Sequence, residues 1–116
     1  MTVLTRTLAL VTLFTAACSS SHPLPANYAP TEAAISAADA VGAQNQPRAA
    51  LHLKMARDQV VQAQALSQNG KEREASLMLE RARTDAEVAL MVSRETTARN
   101  DAAAAKREVE GLSRGN

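Results

Sequence analysis

Aromatic side chains are nearly absent: the chain of 116 residues has one Phe, one Tyr and no Trp. Without them, bulky core-formers are scarce and a deep, aromatic-lined ligand pocket is not expected. The single cysteine, Cys18, excludes an internal disulfide and any Cys-x-x-Cys redox or zinc motif. Neither sign of charge dominates, with 13 basic and 12 acidic residues. Omitting Arg6 leaves twelve of each, and they alternate, as in Glu72-Arg73-Glu74 and Arg83-Thr84-Asp85. Such mixing is the pattern of a solvated helix face, and no nucleic-acid partner is expected. A Gly-rich phosphate loop and a Ser/His/Asp constellation are missing as well. Asp85 and Glu87 are expected to have no nucleophile or base beside them in a concave setting. An enzyme, a cofactor and a metal site are therefore not expected. His52 reads as a surface residue and His22 as a solvated linker residue.

What the chain has in abundance is alanine, the best helix former and one that loses no side-chain entropy on folding. Each buried methyl contributes only about 0.8 kcal/mol, so an alanine seam makes a thin core. Two such seams are visible. Ala49, Leu53, Ala56, Val60, Ala63 and Ser67 alternate steps of four and three. Ala75, Leu79, Ala82, Ala86, Ala89 and Ser93 repeat the pattern after Gln68-Asn69-Gly70. That alternation averages 3.5 residues, which keeps one stripe of a helix facing a partner. The spacing predicts an antiparallel helical hairpin turning at Asn69-Gly70.

The flanks complete the domain. A short helix over 31–43 is predicted, with Thr31 as N-cap, Gly42 as its stop, and a stripe of Ala34, Ala38 and Val41 beside Ile35. It should dock on the second apolar surface of the first hairpin helix, formed by Leu51, Met55, Val61 and Leu66. Pro47 suits the first turn of that hairpin helix. The last helix meets neither Gly nor Pro from Lys71 to Glu110, and could reach about 60 Å. Arg81/Asp85, Arg83/Glu87 and Glu95/Arg99 stand at i,i+4 spacing to support it. Its partner helix covers only the first half. From about Arg94 onward a second stripe runs through Met91, Ala98, Ala102, Ala105, Val109 and Leu112. It reads equally as a solvated helix or as a surface over 94–112 for self-association or an envelope protein partner.

At the amino terminus, Arg6 precedes the apolar run Leu8–Phe14, and Thr15-Ala16-Ala17 closes it. That run is too short to span a bilayer, which takes about 20 apolar residues, and it reads as a secretory signal. Leu13 to Cys18 resembles the lipobox of bacterial lipoproteins, with Thr15 where a branched aliphatic is usual. The resemblance implies cleavage before Cys18 and lipidation of that cysteine. Its two or three acyl chains would suffice for stable membrane anchoring. Ser19 rather than Asp follows, which the resemblance associates with sorting to the periplasmic face of the outer membrane. Residues 19–30, rich in Ser and Pro, read as a tether of up to about 40 Å, with Tyr28 packed loosely on the first helix.

The hairpin is also similar to a known family. Ala50-Leu51-His52-Leu53-Lys54-Met55-Ala56-Arg57-Asp58, Asn69-Gly70, and Glu80 to Ala89 with its Asp85-Ala86-Glu87 resemble small bacterial lipoproteins catalogued as domain of unknown function 4398. The resemblance covers about Ala33 to Ser93. It implies a helical, Ala-rich envelope protein and supplies no activity. Some members precede peptidoglycan-binding domains; this chain stops before one could begin, so that binding is not carried over.

Four segments are expected: 1–17 signal peptide, 18–30 lipidated Cys18 and tether, 31–93 helical hairpin domain, and 94–116 helical extension with a frayed end. The fold is read as all-α and coiled-coil-like, with a short first helix and a long, partly unpaired last one. The function is read as a non-enzymatic lipoprotein scaffold or adaptor, or a docking module acting through its last helix.

Overall fold

A computed structural model describes residues 23–115. The expected signal peptide, Cys18 and the first part of the expected tether lie outside the described residues. Three α-helices follow in order: α1 (Tyr28–Ala40), α2 (Pro47–Gln68) and α3 (Glu72–Arg114). One turn of 3₁₀ helix, Ala43–Asn45, joins the first two. The architecture is all-α, with a long last helix packed against the preceding two.

Within α2 and α3 the twelve seam residues are the buried ones. Helix α2 buries Ala49, Leu53, Ala56, Val60, Ala63 and Ser67. Helix α3 buries Ala75, Leu79, Ala82, Ala86, Ala89 and Ser93. The small side chains let two backbones approach closely, so most of the favourable energy comes from many weak contacts rather than a few large groups. Leu53 and Leu79 are the largest fully buried side chains.

The turn is a helix C-cap that requires a left-handed residue. Gly70 adopts φ +72°, where a Cβ would clash with backbone. The Lys71 amide then donates to Leu66 O at 2.9 Å and the Gly70 amide to Ser67 O at 2.9 Å. This is the Schellman pattern, which satisfies carbonyls that the helix end leaves free. Gly42, at φ +75°, ends α1 in the same conformation.

Two expectations for the first helix need correction. It begins at Tyr28, not Thr31, so the tether is three residues shorter at this end than the 18–30 boundary. Pro30 is tolerated in the first turn because an amide there has no intrahelical partner. Thr31 is consequently inside the helix and buried, rather than its cap. Its amide makes an i→i−4 bond to Asn27 O at 3.2 Å.

The docking site of α1 also differs. It packs mainly on α3, and Leu51, Met55 and Val61 on α2 remain 58%, 40% and 65% exposed. The buried face of α1 is Thr31, Ile35 and Ala38, whereas Ala34 and Val41 are half-buried. The cause is polar. Thr31 Oγ1 lies 2.8 Å from Asn27 O and 3.2 Å from Leu79 O. Asn27 Nδ2 donates to Ser76 O at 2.9 Å, and Ser93 Oγ donates to Val41 O at 3.1 Å. Buried hydroxyls need partners, and α3 supplies them where the apolar surface of α2 has none to offer.

Candidate functional site

The strongest feature of the described residues is the outer face of α3. Its inner face is the seam ending at Ser93. Continued at the same spacing, that face becomes Thr96, Asn100, Ala103, Arg107 and Glu110, which are mostly polar and all but Thr96 exposed. Two residues further on, about 200° around the helix, lie Leu77, Thr84, Val88 and Met91, then Ala98, Ala102, Ala105, Val109 and Leu112. Apolarity therefore leaves the inner face after Ser93 and persists on the outer one.

Leu77, Met91, Val109 and Leu112 are 54%, 64%, 66% and 71% exposed. A shallow apolar groove sits on this face, lined by Thr84, Glu87, Val88, Met91, Val92 and Glu95. The sequence placed the start of the outer stripe at Met91; packing shows that it reaches back to Leu77. Those earlier positions were hidden because Arg81 and Thr84 interrupt the apolar period.

The two ends of the described chain lie far apart. Asn27 meets Ser76 near the hairpin turn, so the chain enters there. Gln46 and Val41 meet Ser93 at the other end of the hairpin. Helix α3 runs on past that point for residues 94–114, about 32 Å at 1.5 Å per residue. Every residue from Thr97 to Gly115 is exposed.

His52 and Asp85 are brought together, which corrects the reading of each as isolated. His52 Nδ1 lies 2.9 Å from Asp85 Oδ1, and Gln59 Nε2 donates to Asp85 Oδ2 at 2.9 Å. The two carboxylate oxygens are thus shared between two residues of α2 that lie about two turns apart. Side chains of His52 and Asp85 are 34% and 18% exposed. No hydroxyl or thiol is hydrogen-bonded to the imidazole among the described residues, so this cluster lacks a nucleophile. It braces α2 against α3. The engagement of Asp85 also explains why the expected Arg81/Asp85 pair does not form, whereas Arg83–Glu87 and Arg99–Glu95 do, at 2.8 Å and 2.5 Å.

Among the described residues no group of three or more His, Cys, Asp or Glu side chains is placed to hold a metal. No described helix is long and apolar enough to cross a membrane. Tyr28, expected to pack loosely, is tied down: its hydroxyl accepts from Gln64 Nε2 at 2.8 Å. Cys18, the one candidate site residue of the sequence, lies outside the described residues.

No protein-family model, curated protein or solved structure matches this chain. The likeness to the lipoprotein family rests on the residues quoted for it above.

Proposed function

We propose that the chain is a bacterial envelope lipoprotein, held by lipid at Cys18 on the periplasmic face of the outer membrane. Its helical domain acts there as a structural or adaptor element without catalysis. The observation that supports this most is the polarity of the molecule. The segment following Cys18 enters the hairpin beside Ser76, and the exposed half of α3 leaves from the opposite end, beyond Ser93. Counting from Ser76 to Arg114, the far end stands about 57 Å from the point of entry. A lipid at Cys18 would thus anchor one end and present the other. Membership of the Ala-rich lipoprotein family belongs to the same proposal.

Replacing Cys18 with Ala tests it. The wild type should take up labelled palmitate and sediment with membranes, and the variant should do neither. A variant that remains with the membranes, or a wild type that carries no acyl chain, overturns the reading.

The exposed outer stripe favours a second, compatible role: residues 94–112 dock a partner. An amphipathic helix that no neighbour covers is a common means of recognition.

A further inference from the structure

We infer that the outer face of α3 pairs with the same face of a second copy, antiparallel, so that each copy's free segment lies along the other's hairpin. The inference rests on the docking role just proposed for this face and names its occupant.

The first argument is fit of length and direction. The free segment, residues 94–114, matches in length the part of α3 that lies within the hairpin, residues 72–93. Because apolarity switches faces after Ser93, a helix extending α1 or α2 on the inner side would meet Thr96, Asn100 and Arg107. The outer side is where Leu77, Val88 and Met91 already stand exposed or half-buried beside an open groove.

The second argument is side-chain size and charge in one register. With positions repeating every 3.5 residues, the facing layers become Met91 on Ala102, Val88 on Ala105, Thr84 on Val109, and the Arg81 stem on Leu112 of the second copy. Met91 and Val88 of one hairpin thus meet the small Ala102 and Ala105 of the other copy's free segment, the alternation that lets layers interdigitate. Glu95 faces Ala98 and meets no like charge in the seam. On the flanks, Arg94 faces Asp101, twice by symmetry. Glu87 faces Glu108, both exposed, where salt screens the repulsion. The parallel alternative stacks Arg81 on Arg81, Glu95 on Glu95, and sets Arg94 beside Arg99. Charge therefore selects the antiparallel arrangement.

Sedimentation equilibrium of the full chain, in density-matched neutral detergent that shields the N-terminal segment, tests the pairing. The wild type should show a concentration-dependent monomer–dimer equilibrium. Ala102→Glu, at an exposed helical position that does not disturb the monomer, should abolish it while the helical circular dichroism per residue of the monomer is kept. Arg94→Asp should weaken the dimer about tenfold by setting carboxylates against Asp101. The double variant Arg94→Asp/Asp101→Arg should regain most of the loss. A wild type that is monomeric throughout overturns the inference, and leaves the anchoring by Cys18 untouched, since that is read from membrane fractionation. Tightening by Arg94→Asp also overturns it, because that is the response of a parallel pair.

Discussion

Leu79→Ala is the sharpest probe of a core built from alanine. Leu79 is 0% exposed and belongs to the buried cluster that all three helices share. Its carbonyl receives Thr31 Oγ1 at 3.2 Å, which places it where α1, α2 and α3 meet. Removing the isobutyl group loses its transfer energy and leaves a cavity, and such substitutions cost about 2–5 kcal/mol. The upper part of that range requires that the surroundings cannot collapse. Ala makes up half of the α2 seam, and its methyls have no rotamers with which to fill a gap, so we expect about 3–5 kcal/mol. For a small domain whose total stability is about 5–15 kcal/mol, that loss removes a large share of the margin and should lower the urea midpoint accordingly. Urea unfolding followed at 222 nm measures the loss, with Leu112→Ala as control. Leu112 is 71% exposed, and in the isolated monomer its replacement should change stability by no more than about 0.5 kcal/mol. A loss below about 1 kcal/mol for Leu79→Ala would refute the account of a rigid, thin seam.

Ala86→Leu should destabilise the hairpin by about 1–3 kcal/mol, since extra methylenes have no space between close backbones; denaturant midpoints check it. Ser93→Ala removes the donor to Val41 O and the partner of Gln46 Nε2. It should cost about 1–3 kcal/mol and raise amide exchange in the 41–46 connection first. Gly70→Ala forces a Cβ into the left-handed region at φ +72°, for a loss of about 1–2 kcal/mol. Arg99→Ala breaks only an exposed i,i+4 pair with Glu95, so monomer stability should hold to within about 0.5 kcal/mol.

The hairpin was legible because its two stripes are long, periodic and separated by a glycine at the turn; all twelve inner residues follow from spacing alone. The helical boundary at Tyr28 and the docking side of α1 were not. Thr31 after Pro30 has the composition of a cap, and only the tertiary contact with Leu79 O shows it to be a buried tie. Leu51, Met55 and Val61 form an apolar patch in sequence, yet polar demands of Asn27, Thr31 and Ser93 direct α1 elsewhere. His52 and Asp85 stand far apart in the chain, so their contact depends on the hairpin register and leaves no local trace. The outer stripe was half legible, since Arg81 and Thr84 break its period.

An alanine seam is nearly degenerate, and this explains why polar residues crowd its ends. Sliding α2 against α3 by one heptad would again set the Ala-rich seam of α3 against the Ala, Leu and Val of α2, at small cost in buried area. What such a slip would break is specific. Gln46 would lose Ser93 at 2.9 Å, His52 would lose Asp85, and Ser67 would lose the Glu72 carboxylate, 3.1 Å from both oxygens. These ties sit at one end, the middle and the turn, so no single displacement preserves any two of them. Each is worth about 0.5–1.5 kcal/mol when made, but leaving a buried partner unsatisfied costs about 1–3 kcal/mol. The penalty for misregister therefore comes from polar groups, while cohesion comes from methyls. By the same reasoning the outer stripe, where Ala98, Ala102 and Ala105 adjoin charged Arg94, Glu95 and Asp101, would take its register from charge.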